Sequence, residues 1–368
     1  MFFVTLIVFI FILGILIFVH EFGHFLVAKK SGVEVEEFAF GFPPRLFCIK
    51  KGETNYCINL IPLGGYVKMV GEEGQEMKNP RSFARKKIWN RALILSAGVV
   101  MNFLFAGILL SFGFGFGMLP LPIMGTAKDF QQAKVETKVV IAQVVSGSPA
   151  ALASLKEGDV IEAVGDAFRT SPLTRVEDMP AFTKAHAGKE VQIVIEREGV
   201  RQTKTITLLR EAQPEQGYLG VEVQEVITRV QYPWWQAPVV GFYFAGKMVV
   251  ATILLLYEAL RNLIVSRQVP QDIAGPVGIF LIVGQAIPRG ISYILQLTAI
   301  ISVNLAVINV LPFPALDGGR LLFVAIEKIR GRKVAATVEA VIHNIGFILL
   351  MLLVALITFY DILRIRKG

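Results

Sequence analysis

The sequence predicts a polytopic α-helical membrane protein with about four transmembrane helices, a membrane-associated β-hairpin region and one extracytoplasmic α+β domain. Three observations carry that expectation. The 368 residues are 54% hydrophobic and only 18% charged, with a mean hydropathy of +0.59. Apolar runs at 2–28, 92–118, 291–316 and 338–362 are each long enough to span a hydrocarbon core of about 30 Å. Between the second and third runs, residues 138–224 instead carry the short alternating segments and turn residues of a folded soluble domain. The chain therefore divides into 1–125, 126–232, 233–290 and 291–368.

The first run lacks a basic leader and an A-x-A pattern, so it reads as a retained span rather than a signal peptide. Orientation follows from charge. Residues 29–91 hold 12 Lys and Arg against 7 Asp and Glu, whereas 126–232 hold 13 against 15. Basic loops stay on the cytoplasmic side, so 29–91 is expected inside and 126–232 outside. The net charge of +8 flanks spans and does not suggest a nucleic-acid partner. In the inner loop, Phe47-Cys48-Ile49 and Tyr56-Cys57-Ile58 flank Lys51-Gly52-Glu53-Thr54 as a hairpin. A cytoplasmic location makes Cys48 and Cys57 expected free thiols. The neighbouring Gly41-Phe42-Pro43-Pro44 and Pro62-Leu63-Gly64-Gly65-Tyr66-Val67 are apolar and suit a segment that dips into the bilayer beside shielding protein.

The second run holds Gly98-x-x-x-Asn102, a small residue and an amide one turn apart, as in close helix packing. In the outer domain strands are expected near 139–145, 159–164, 191–195 and 203–209, and helices near 148–155 and 178–187. Residues 238–266 are apolar but carry Lys247, Glu258 and Arg261. If they crossed, the basic Lys328, Arg330, Arg332 and Lys333 would lie outside, so they are expected to lie along the outer interface.

The chemistry is concentrated in the first run. His20, Glu21 and His24 form H-E-x-x-H, which on a helix puts both imidazoles on one face, one turn apart, with a carboxylate beside them. Two such ligands leave a catalytic metal one short of three. Asp317, after Pro312 and Pro314 and before Gly318-Gly319, and His343 in the last run are both at the right depth. Ionisable groups inside a membrane mark function by default.

Taken together, H-E-x-x-H, G-F-P-P, P-L-G-G-Y-V, G-x-x-x-N, Gly275-Pro276-Val277-Gly278 and N-x-x-P-x-P-x-L-D-G-G resemble the site-2 protease family, in its bacterial zinc metalloprotease branch. Ser148-Pro149-Ala150-Ala151 with Gly158-Asp159-Val160-Ile161, and later Tyr218-Leu219-Gly220-Val221, resemble a PDZ domain. The resemblance implies one Zn2+ held by His20, His24 and Asp317, with Glu21 as the catalytic base. It implies substrate contacts at Asn309, Gly41 and Phe42, and peptide contacts at Leu219 and Gly220. It also implies a multi-pass protein of the bacterial inner membrane, with single-span membrane proteins and the lipid bilayer as partners and no small-molecule cofactor besides zinc. Its substrates would be anti-sigma factors and remnant signal peptides, cut after a first extracytoplasmic cleavage. A catalytically inert scaffold that gathers partners through its PDZ domain is the alternative, and a zinc transporter is disfavoured by the lack of an internal repeat.

Overall fold

The structure is a computed structural model. It describes residues 1–72, 79–121, 123–124, 129, 131–166, 169–197, 199–214, 216–266 and 274–367; the boundary expected at 125/126 lies outside these residues. The chain divides into two compact units, Met1–Phe116 with Pro233–Gly368, and Gly117–Tyr232.

In the first unit, α1 (Phe2–Lys30) and α2 (Ile88–Phe116) are predominantly apolar helices that run antiparallel at very close range. A Cβ on Gly23 would lie 2.5 Å from the Ala97 carbonyl oxygen, so glycine sets this spacing. Between them, β1 (Val35–Lys51) and β2 (Thr54–Met69) make an antiparallel hairpin that folds back on itself, so that Phe38 faces Val67 on one side and Tyr56 on the other. Phe38 and Tyr56 pack on Phe25, and Phe40 reaches as far along α1 as Gly14. The far part of the hairpin exposes Phe42, Leu46, Phe47, Ile49, Ile58, Leu60 and Ile61, a face suited to lipid rather than water. The free thiols expected at Cys48 and Cys57 are corrected here. The register places the two residues directly opposite each other across β1 and β2, and they form a disulfide.

Residues 237–261 form α5 (Ala237–Arg261). It runs lengthwise and antiparallel along α2, from Trp234 against Phe116, through Gly241 against Ser111, to Thr252, which donates to Asn304 Oδ1 at 2.8 Å. Then α6 (Pro276–Ala286) packs on α1 and leads into α7 (Ile291–Val310). Leu297 of α7 shares a cluster with Ile12 and Leu16, while its far end lines a cavity beside Glu21, so α7 runs in the same direction as α1. Both α5 and α7 therefore start at the same end of the bundle, and α6, at about 16 Å, is too short to cross on its own. The amphipathic α8 (Asp317–Arg330) and the long α9 (Ala336–Lys367) follow. Among the described residues, five helices (α1, α2, α5, α7 and α9) are long and apolar enough to cross a membrane.

The Gly275-Pro276-Val277-Gly278 motif is explained at the start of α6. The buried carboxylate of Asp361 on α9 accepts hydrogen bonds from the backbone N–H of Gly275 at 3.3 Å and of Gly278 at 2.8 Å. A Cβ on Gly275 would crowd that carboxylate at 2.8 Å. Orphan donors of a helix start are thus satisfied from another helix.

The second unit is an antiparallel sheet in the order β7-β6-β4-β3-β8, with β5 beside β4. The strands are β3 (Lys134–Val144), β4 (Val160–Gly165), β5 (Thr170–Pro172), β6 (Glu190–Arg197), β7 (Val200–Thr207) and β8 (Val221–Gln231), with helices α3 (Pro149–Leu152) and α4 (Asp178–Ala185). Ser148 caps α3, accepting from Ala151 N–H at 3.2 Å. A core of Val139, Ile141, Ile161, Val191, Ile193 and Ile195 fills one face of the sheet. Asp159, 1% exposed, is held by the Arg197 guanidinium with two contacts of 2.6 Å and by Lys156 N–H at 2.9 Å.

Candidate active site

Two helical turns of α1 bring His20 and His24 to the face that packs against α2, where both are buried. The G-x-x-x-N pair of α2 meets them there. Gly98 leaves room: a Cβ at this position would lie 2.4 Å from His24 Nε2 and 2.7 Å from His20 Nε2. His24 Nδ1–H donates to the Ile94 carbonyl at 2.7 Å, which turns Nε2 away from α2. One turn further, the Asn102 amide lies 3.4 Å from His20 Nδ1.

Asp317 arrives from the turn between α7 and α8. Leu311 leaves the helix in an extended conformation, Pro312 and Pro314 prevent its continuation, and Ala315 takes a left-handed φ of 77°. Gly318 and Gly319 lie so close to the carbonyls of Leu311 and Phe313 that a Cβ would sit within 2.1 and 2.4 Å. The turn is held from α9, because Ala315 N–H donates to His343 Nδ1 at 2.9 Å and Gly346 packs on Pro314.

The result is a convergence of three donor atoms. Asp317 Oδ2 lies 3.0 Å from His20 Nε2 and 3.3 Å from His24 Nε2, and the two Nε2 atoms are 3.2 Å apart. A tetrahedral zinc ion with bonds of about 2.0–2.1 Å has ligand-to-ligand edges of about 3.3 Å. Asp317 Oδ2 is buried with no hydrogen-bond partner in the protein. Three ligand atoms converging on one point, one of them a buried carboxylate oxygen without a hydrogen-bond partner, fit a cation. Among the described residues this is the one cluster of three such groups, and His343 is not part of it.

A cavity of about 260 Å³ opens beside the cluster. Glu21, Asn309 and, from β2, Gly64 and Gly65 line it. Gly65 is packed against Glu21, whose Cγ would meet a Cβ there at 3.1 Å. Five expected site residues, His20, Glu21, His24, Asn309 and Asp317, thus come together. The others do not. Gly41, at a φ of 84°, gives its carbonyl to Asn59 Nδ2 at 2.9 Å inside the hairpin, and Phe42 covers Gly64 on the outer face. Neither lines the cavity. Leu219 is 3% exposed in the core of the second unit, and Gly220 N–H is bonded to the Gln216 carbonyl at 3.0 Å. The glycine pair 64–65 is the wall that sequence reasoning did not assign, although the P-L-G-G-Y-V motif contained it.

The family model described as peptidase family M50 matches residues 8–353. The chain belongs to peptidase family M50. This is the site-2 protease family. The chain is 31% identical to the zinc metalloprotease RasP of Shouchella clausii, 30% to that of Geobacillus kaustophilus and 29% to that of Oceanobacillus iheyensis. These alignments cover 97–98% of this chain and 97–99% of the relatives. It is a zinc metalloprotease of a bacterial membrane, and the family setting is intramembrane proteolysis.

Proposed function

We propose that His20, His24 and Asp317 hold the zinc ion, and that Glu21 is the proton carrier in cleavage of single-span membrane proteins. The observation that carries this reading is the meeting of three potential ligand atoms beside a cavity lined by Glu21, in a unit whose long helices are apolar enough to span a bilayer. Bound zinc supplies Lewis acidity, lowering the pKa of a water molecule and polarising a peptide carbonyl. Glu21 takes the water's proton and later delivers it to the leaving amine. Asn309 lines the same cavity as Asp317, and its amide is assigned to hydrogen bonding with the substrate backbone. A transmembrane substrate must unwind to expose a peptide bond, and its freed backbone groups need partners. The Gly64–Gly65 wall, lacking side chains, lets an extended backbone approach.

The remaining parts of the reading concern placement. The hairpin and α8 lie on the inner side of a bacterial inner membrane, and the 117–232 unit, a PDZ domain, is exported. The common starting end of α5 and α7 supports a net four-span topology in which α5 and α6 enter and return. Substrates are anti-sigma factors or remnant signal peptides already trimmed outside, with the exported domain acting as a size filter. The burial of Leu219 and the occupied Gly220 N–H favour the filter over capture of a peptide end.

The test is Glu21→Gln in purified full-length protein. It should retain one zinc per chain and lose cleavage of a single-span substrate, because an amide cannot accept the water's proton. Cleavage within tenfold of wild type would remove Glu21 from this role.

A further inference from the structure

The Asn102 side chain presents two facts that conflict with a metal-binding His20 unless the amide is read the other way round. It is fully buried, and its Oδ1 has no hydrogen-bond partner. Its Nδ2 is the atom facing His20 Nδ1, at 3.4 Å. If the amide nitrogen donates in that contact, His20 Nδ1 must be the acceptor, which puts the ring proton of a neutral imidazole on Nε2. Yet Nε2 is the atom that meets Asp317 Oδ2 and His24 Nε2, and a protonated Nε2 cannot bind a metal.

We infer that Asn102 is a positioning residue for the zinc site, its carboxamide turned by half a rotation so that Oδ1 accepts a hydrogen bond from His20 Nδ1–H. This one change removes both conflicts. The orphan Oδ1 gains a donor, and His20 takes the tautomer whose Nε2 lone pair faces the cluster. The rotation exchanges atoms of similar size, so it needs no repacking. His24 already shows the same arrangement, with Nδ1–H on the Ile94 carbonyl. Both imidazoles are then oriented by α2, one through a backbone carbonyl and one through a side chain. The Asn102 backbone is itself fixed from α7, where Ser302 Oγ donates to its carbonyl at 2.8 Å. The G-x-x-x-N motif thereby acquires a division of labour: Gly98 admits the rings and Asn102 sets the proton on one of them. Outer-shell partners of ligating histidines fix ring orientation and raise ligand basicity.

The inference rests on His20 being a ligand, so the experiment separates the two. Full-length protein in detergent is stripped of metal, and its zinc affinity is measured by competition with a chromophoric chelator for wild type, His20→Ala, Asn102→Leu and Asn102→Asp. His20→Ala should lose the site. Asn102→Leu, similar in size but unable to accept, should bind zinc about 10- to 100-fold more weakly. Asn102→Asp can accept but not donate, and should match wild type or bind more tightly. Loss of affinity in Asn102→Asp comparable to that in Asn102→Leu, or wild-type affinity in Asn102→Leu, overturns the inference while leaving the ligand set intact. Zinc retained by His20→Ala overturns the ligand reading first. Should Asn102→Leu not elute as a monodisperse species, Asn102→Asp decides alone, since a donor role predicts its failure and an acceptor role its success.

Discussion

Gly98→Ala is the sharpest test of how the site is built, because two effects of opposite sign can be separated. In an isolated helix the change is favourable by about 1 kcal/mol, since glycine is the poorer helix former. In this protein the added methyl would sit 2.4 Å from His24 Nε2 and 2.7 Å from His20 Nε2 and Cε1, where ordinary contact begins at 3.4 Å. Something must move by about 1 Å. The rings cannot simply swing aside, because His24 is tied to Ile94 and both Nε2 atoms face Asp317. The helices cannot simply part, because Gly23 is already in contact with the Ala97 carbonyl and much of the α1–α2 interface would be lost with them. Displacement of a reacting group by about 1 Å can cost 100-fold in rate. The expectation is therefore a protein that melts within a few degrees of wild type, binds zinc at least tenfold more weakly and cleaves about 100-fold more slowly. The assays are thermal unfolding of the metal-free protein, chelator competition and cleavage of a single-span substrate. Metal-free stability near wild type together with full zinc affinity and full activity would refute the reasoning, since it would mean the imidazoles do not occupy the space that Gly98 leaves.

Three further outcomes follow from the same structure. Asp317→Ala should abolish zinc binding, whereas His343→Ala should keep zinc with reduced affinity, because it loosens the Ala315 turn without removing a ligand; metal analysis of both proteins checks this, and the reverse pattern would exchange their roles. Burial alone would raise the Asp159 carboxyl, but the Arg197 fork, Lys156 N–H and the field of Arg197 override it and hold its pKa below the ordinary value. The stability this contributes is fully present at neutral pH and is lost as pH falls below about 4 toward the depressed folded value. Arg197→Met should cost the second unit about 3 kcal/mol at pH 7 and flatten that acid dependence, read from hydrogen exchange of β3 and β4 amides. A cysteine introduced between 328 and 333 should resist an impermeant thiol reagent in cells with an opened outer barrier, while one at Gln213 should react; labelling of the first would restore a five-span topology, with an even number of crossings before α8.

Much of this was legible in the residues, and the failures have identifiable causes. H-E-x-x-H fixes its own geometry through helical periodicity, and the double proline before Asp317 announces a turn, so the cluster could be anticipated. The choice of Asp317 over His343 came from the family resemblance and not from spacing, because physically it depends on which side of the α7–α8 turn faces α1. Cys48 and Cys57 are equidistant from the hairpin turn that the flanking strands already implied, and compartment reasoning overrode that register. Strand β8 was missed because the domain was closed at Gln224, before the alternation of Val221, Val223 and Glu225 had run its length. The path of α5 is set by aromatic packing on α2, which no count of its charges reveals.

The two attachments of α9 have a further consequence. Near its start His343 accepts from Ala315, and near its end Asp361 caps α6; the two points are about 27 Å apart at 1.5 Å per residue. Between them Phe347, Ile348, Leu352, Leu353 and Leu356 are exposed. That middle stretch can drift freely among apolar residues, yet it tolerates no change of length. One residue inserted there would turn the far pin by about 100° and shift it by about 1.5 Å, so that histidine and aspartate could no longer both reach their targets. The helix acts as a ruler: its spelling is loose, and its number of letters is fixed by the distance between the Asp317 turn and the glycines of α6.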